Sequence, residues 1–324
     1  MPENYASRFA NLNANYNPNF WTASTNFRAP HKPLVLLSVL DLFAEGTIQS
    51  NLIEFDDDLV DLFNIYWSIV DPPSQRANIA FPLWHLQSEG FWHLLQKPGY
   101  EQRVKEGGAI TSMGLLQKAV FGAPLDEALF TQMQNEGQRE LLRAVLIETY
   151  FEPALQAKLT AQGVINQQAF RYGQELLRRV KAEKRIEETA EPAYAAPARD
   201  QGFRRVVTQI YDHRCALCGI RMRTPEGHTV VDAAHIIPFS ESRNDDPRNG
   251  MALCRLCHWA FDEGLLGVNV EYVVRVSPRL RAERNVPAHL ATLDGRGMIT
   301  PAEREYWPAI ESLKWHVGNV FRTR

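Results

Sequence analysis

The residues with the most chemical content lie in one stretch of the chain. Cys215 and Cys218 form a Cys-x-x-Cys pair, Cys254 and Cys257 form a second, and 35 residues separate the two pairs. Four thiolates in two such knuckles suit a closed tetrahedral zinc site, which leaves no coordination position open and adds to folding free energy. Between and just after the knuckles stand His235, Asn249, His258 and Asp262. An imidazole titrates near neutral pH, so His235 is a candidate general base. His258 and Asp262 are four residues apart, which on a helix places both on one face. Together they could ligate one divalent cation, and an imidazole plus a carboxylate suits magnesium or manganese. Taken singly, each has a plainer reading: a surface histidine, a turn asparagine before Gly250, a solvated aspartate.

The segments that hold them argue against the plain readings. They are Asp232-Ala233-Ala234-His235-Ile236-Ile237-Pro238, then Asn249-Gly250-Met251-Ala252-Leu253-Cys254, then Cys257-His258-Trp259-Ala260-Phe261-Asp262-Glu263-Gly264. In order and spacing this stretch resembles the HNH endonucleases of the ββα-metal type. The resemblance implies a metal-dependent nuclease that hydrolyses phosphodiester bonds. It implies His235 as base at the end of a strand, Asn249 holding the loop and orienting the His235 ring, and His258 with Asp262 holding the catalytic ion. His235, His258 and Asp262 would then gather around one ion beside the cysteine-bound zinc. One position departs from the pattern. Many members carry an acidic residue or a histidine just before the base, where this chain has Ala234. Asp232 should share a strand face with Ala234, one step further from the ion, so the expected ligands remain His258 and Asp262.

The elements that must position these residues are helical in the first part of the chain. At 324 residues, two domains are expected. Pro30-His31-Lys32-Pro33 opens an apolar run closed by Gly46, which reads as a buried helix. Further helices are expected over about 56–70, 125–135, 138–150 and 167–188. The aromatic segments Phe81 to Leu86 and Gly90 to Leu94 read as short extended or turn pieces. The proline- and alanine-rich stretch from Ala190 reads as a linker. The expected division is 1–189, a linker over 190–200, and 201–324. Beyond the linker the order is a helix from Gly202 to Tyr211, a strand near 229–232, a second strand, a loop and a helix starting near Cys254. The fold class expected is α+β: a mainly helical N-terminal DNA-recognition domain, plus a small ββα-metal domain with a four-cysteine zinc site.

Charge is divided unevenly. Up to Tyr194, Lys and Arg number 17 against 23 acidic residues; beyond it they number 18 against 15, and 17 of those 18 are Arg. Arg is the fork-shaped cation suited to phosphate; the count alone favours a solvated surface, and only beside the HNH resemblance does it point to double-stranded DNA as the expected partner. No apolar run approaches the roughly 18 residues a membrane helix needs. Met1 to Ala10 lacks a basic segment followed by an apolar one. A cytoplasmic location without membrane partners is therefore expected.

The first part has a resemblance of its own. Arg28-Ala29-Pro30-His31-Lys32-Pro33-Leu34-Val35-Leu36-Leu37, Ala80-Phe81-Pro82-Leu83-Trp84-His85-Leu86 with Gly90-Phe91-Trp92, and Leu141 to Phe151 are similar to the sulfur-binding domain of phosphorothioate-dependent restriction endonucleases. That implies recognition of a non-bridging sulfur in the DNA backbone. Phe81 and Pro82 would supply an apolar pocket, and Arg28 and His31 would anchor the neighbouring phosphates. The whole then reads as a modification-dependent restriction endonuclease. One alternative keeps the nuclease but reads methylated or unmodified DNA. Another is a zinc-stabilised DNA-binding protein without nuclease activity. Two strands need two cuts, so a homodimer is expected.

Overall fold

The computed structural model describes residues 4–72, 77–100, 110, 112–182, 194–282 and 288–323. It divides into two compact units. The first holds Met1–Gln167 together with Arg223–His228, and the second holds Gln168–Met222 with Thr229–Arg324.

The first unit is built on α2 (His31–Glu45), which follows α1 (Tyr5–Ala10). Proline at the start of α2 forfeits no helical hydrogen bond, and Gly46 closes it at φ 72°, a left-handed conformation that glycine adopts freely. Leu34 to Leu37, Val39 and Leu40 are wholly buried, so α2 is a central helix wrapped on all sides. Around it come α3 (Asp57–Val70), α4 (Ala80–His85), β1 (Leu95–Gln96), α5 (Met113–Ala119), β2 (Val120–Gly122), α6 (Glu127–Gln134), α7 (Glu136–Tyr150) and the first part of α8 (Pro153–Lys181).

A buried ionic network ties these helices together. Asp41 of α2 pairs with Arg143 of α7 at 2.7 Å. It also accepts from Tyr66 Oη of α3 at 2.7 Å and from Asn166 Nδ2 of α8 at 2.6 Å. Burial pushes the Asp41 carboxyl up, and the Arg143 guanidinium opposes the rise. Removing Arg143 alone would leave a buried carboxylate without its cation, a loss of about 3–5 kcal/mol.

Three expectations differ from the structure. The segment at Phe81 and Pro82 is helical, because Pro82 falls in the first turn of α4, where its missing N–H costs nothing. The helix expected from about 167 begins at Pro153, and Gln168–Lys181 of it belong to the second unit; the 183–188 end of the expectation lies outside the described residues. Residues 196–200, read as linker, are the start of α9 (Ala196–Ile210), where Pro197 occupies a permitted N-terminal position. Residues 190–193 lie outside the described residues.

The second unit is the α+β part. After α9 come β3 (Val231–His235), α10 (Phe239–Ser242), β4 (Gly250–Cys254) and α11 (Arg255–Asp262). Then follow β5 (Leu266–Val268), β6 (Val274–Val276), α12 (Pro278–Ala282), α13 (Ala288–Ala291) and α14 (Ile310–Asn319). β3 and β4 are antiparallel, with His235 opposite Gly250 and Val231 opposite Cys254. α11 and α9 each pack against both strands, which makes a ββα unit with a helical support. Small residues let the backbones approach. A side chain at Gly202 would lie 2.6 Å from the Ala169 carbonyl oxygen, and one at Gly250 would lie 2.9 Å from Phe203 Cζ. Among the described residues, no helix is long and apolar enough to cross a membrane.

Candidate active site and metal centre

The four cysteines converge. Cys215, Cys254 and Cys257 are buried, Cys218 is half-buried, and their sulfurs lie within 4.8 Å of one another. Cys218 Sγ and Cys254 Sγ are 3.8 Å apart, the edge length of a tetrahedron of sulfurs at about 2.3 Å from a central ion. The donor set and spacing fit a tetrahedral metal ion. Cys254 ends β4 and Cys257 lies in the first turn of α11, so one knuckle is the strand-to-helix turn itself. Ala216 N donates to Ala252 O at 2.8 Å, which fastens the other knuckle to β4.

His258 follows within α11, and its Nε2 stands 3.5 Å from Asp262 Oδ2, one helical turn on. Burial pushes the Asp262 carboxyl up, and the charge of His258 opposes that. The two side chains thus form a pair on one helix face that fits two adjacent ligands of one cation. Ala234, the residue before His235, is buried in the core. Asp232 is engaged elsewhere, with its Oδ1 2.7 Å from Arg204 Nε.

His235 closes β3. Its ring stacks on Phe203 of α9 with centroids 4.0 Å apart and an interplanar angle of 7°. Its Nε2 lies 2.8 Å from Asp245 Oδ1. Asp245 is buried, and its Oδ2 accepts from Tyr172 Oη at 2.8 Å and from Arg199 at 2.7 and 3.1 Å. Burial alone would raise the Asp245 carboxyl, but the hydrogen bonds from His235, Arg199 and Tyr172 outweigh it and hold the group below its ordinary value. Tyr172 is raised by burial and by the charge of Asp245.

Asn249 works on the loop after His235. Its Oδ1 accepts from Ile237 N at 3.0 Å, and its Nδ2 donates to Ile237 O at 3.0 Å and Asn244 O at 3.1 Å. It pins residues 237–249 into a closed loop and thereby places Asp245 beside the ring. The structure therefore brings His235 together with Asp245 and Phe203, pairs His258 with Asp262, and gathers the cysteines; among the described residues His235, His258 and Asp262 do not converge into the one group of ligand atoms expected. Sequence reasoning missed Asp245, Phe203, Arg199 and Tyr172. Asp245 lies in Arg243-Asn244-Asp245-Asp246-Pro247, which reads only as a polar loop, and its partners stand 46 and 73 positions away.

Residues 215–269 match the family model described as HNH endonuclease. The second unit carries an HNH endonuclease domain. Residues 9–166 match the model described as ScoMcrA-like, DNA sulfur-binding domain. The chain thus joins a DNA sulfur-binding domain to an HNH domain. Among solved structures it is similar to one titled "Modification dependent TagI restriction endonuclease", at 21% identity and a TM-score of 0.29. The alignment covers 44% of this chain and 42% of that one, so this chain spans less than half of that protein's length. No curated protein matches the chain.

Within the sulfur-binding domain, a cavity of about 530 Å³ is lined by Trp21, His31, Lys32, Phe81, Pro82 and His85, among others. Three of the four expected DNA-contacting residues, His31, Phe81 and Pro82, therefore share one wall system. Arg28 is placed differently: its guanidinium lies 5.7 Å from the Tyr150 ring centroid, beside Ala29, which does line the cavity. His31 packs between Trp21 and Trp67, and burial lowers it to about 4. At neutral pH it can offer a hydrogen bond but no charge. Lys32 is paired with Glu89 and donates to Ser88 Oγ at 3.1 Å.

Proposed function

We propose that this chain is a phosphorothioate-dependent DNA endonuclease, in which the sulfur-binding domain selects modified DNA and the HNH domain cuts it. The observation that carries the reading is the union of the two domain types in one chain, with a histidine held at the end of the HNH strand. His235 acts as the base that takes a proton from the attacking water. Asn249 keeps the loop closed behind it. His258 and Asp262 are the residues that would hold a divalent cation, magnesium or manganese, which when bound stabilises charge on the phosphate and on the leaving oxygen. Cys215, Cys218, Cys254 and Cys257 would hold zinc, which secures the turn into α11.

Selection follows from the cavity. A non-bridging sulfur is larger and less strongly hydrated than oxygen. A wall of Trp21, Phe81 and Pro82, with His31 neutral and Lys32 already paired, favours the softer group over a fully hydrated phosphate oxygen. Arg28 stands ready for a neighbouring phosphate. Two strands require two cuts, so the working unit is a pair of chains on DNA; sedimentation of the DNA-bound protein checks this, and a single chain making both cuts in one event contradicts it. The protein works in the cytoplasm, where DNA is the available partner.

Competition binding tests the recognition step. Sulfur-modified, methylated and plain duplexes of one sequence are titrated against a labelled modified duplex. The sulfur-modified competitor should displace the label at least 10-fold more effectively than the others. Equal displacement by the plain duplex removes the sulfur-dependent reading, and preferential displacement by the methylated one replaces it.

A further inference from the structure

We propose that Asp245 is the positioning carboxylate of His235, holding the imidazole with its proton on Nε2 so that Nδ1 receives the proton of water. This rests on the nuclease reading above for its consequence in catalysis, but not for its geometry.

The observations are four. His235 Nε2 and Asp245 Oδ1 are 2.8 Å apart. An ionised carboxylate only accepts hydrogen bonds, so the nitrogen facing it must donate, and the neutral ring is left with its lone pair on Nδ1. The face of the ring is fixed by the Phe203 stack at 4.0 Å, with Phe239 tilted at 6.0 Å. The carboxylate cannot turn away, because Oδ2 is occupied by Tyr172 of α8 and by Arg199 of α9, and Arg199 is itself laid over Phe239 at 4.0 Å. A buried aspartate with three donors is costly to build for folding alone. Here one of the three donors is the imidazole at the end of the HNH strand.

In the reaction, the water oxygen bonds to phosphorus while the phosphorus–oxygen bond to the leaving group breaks. The water's proton passes to Nδ1 of His235. The ring becomes an imidazolium, and Asp245 stabilises its charge through the Nε2–H bond. Asp245 touches neither water nor phosphate, so its effect is on orientation, tautomer and ring charge.

The geometry makes a specific forecast for Asp245→Asn. Arg199 and Tyr172 are donors, so the amide oxygen must face them and the amide nitrogen must face His235. Nε2 then has to accept, and the ring proton moves to Nδ1. The same logic in serine proteases costs on the order of 10⁴-fold in rate. The experiment is nitrogen-15 NMR of histidine-labelled full-length protein, with the His235 signals identified by their loss in His235→Gln. It is paired with single-turnover cleavage rates and DNA dissociation constants. The wild-type ring should carry its proton on Nε2. Asp245→Asn should reverse the tautomer and lower the cleavage rate by 10²- to 10⁴-fold, with DNA affinity unchanged within about 3-fold. A wild-type ring protonated on Nδ1, or an Asp245→Asn protein that cuts at the wild-type rate, overturns the assignment. If Asp245→Asn does not fold, the wild-type spectrum alone decides. The tautomer is read without any cleavage. A wild-type chain that never cuts therefore defeats the nuclease reading, whereas an Nδ1-protonated ring defeats this one.

Discussion

At the residue scale, the centre depends on side chains whose types are unremarkable and whose surroundings are not. His235 at a strand end would be an ordinary surface imidazole without Phe203 beneath it and Asp245 at its edge. His235→Ala should lower cleavage by at least 10³-fold while leaving DNA affinity within about 3-fold, since the residue is assigned to proton transfer rather than binding. Cleavage assays beside gel-shift titrations check this, and a variant that cuts normally removes His235 from the reaction. A second histidine makes a stability prediction. His316 is buried, stacks on Phe261 at 3.6 Å and bonds the Phe261 carbonyl through Nε2. Burial lowers it from 6.5 to about 4. Above pH 6.5 it is neutral folded or unfolded and contributes nothing to the pH dependence. As pH falls from 6.5 to about 4 the unfolded chain takes a proton that the folded chain refuses, so stability drops by about 3 kcal/mol over that window. Denaturant titrations of wild type and His316→Gln at pH 7 and pH 4.5 should show a smaller acid loss in the variant. Equal losses would mean that His316 is not the group responsible.

At the element scale, the ββα unit is held from two sides. On one side the cysteines join the loop at 215–218 to the β4–α11 turn. If the four thiols hold a metal, treatment with a chelator should lower the melting temperature of the second unit's transition by at least 10 °C, or abolish it, and an unchanged melt would show that they are not a metal site. On the other side α9 approaches β4 closely at Gly250. A methyl group there would meet Val207 Cγ2 at 2.7 Å and Phe203 Cζ at 2.9 Å. Gly250→Ala should therefore cost about 1–3 kcal/mol of stability. Because Phe203 carries the His235 ring, it should also slow cleavage by roughly 10-fold; full activity would show that the stack can shift without consequence.

The elements also show how far the sequence could be read. The cysteine knuckles and the His–Asn–His order were legible because ligand spacing is a local property of the chain. α2 was legible from its proline start, apolar run and glycine stop. The shell around His235 was not, because Tyr172, Arg199, Phe203 and Asp245 come from two helices and a polar loop, and no local period marks them. α4 was misread because Pro82 looks like a breaker unless its place in the first turn is known. α8 was misread at its start because its polar first half shows little apolar period, while Asn166 and Gly163 meet the buried network of Asp41, Arg143 and Tyr66.

At the scale of the whole molecule, net charge gave little warning of a DNA partner, since the −3 total hides −6 up to Tyr194 and +3 beyond it. The division suits the proposed labour. In that proposal an acidic first part with a partly apolar cavity would discriminate by a single backbone atom, and an Arg-rich second part would engage phosphate generally. The direct measurement is cleavage of two plasmids of identical sequence, one carrying phosphorothioate linkages and one not, with magnesium or manganese, by wild type and by His235→Ala. Wild type should cut only the sulfur-bearing plasmid, and His235→Ala should cut neither. Equal cutting of both plasmids by wild type, or cutting of the modified one by His235→Ala, would contradict the account.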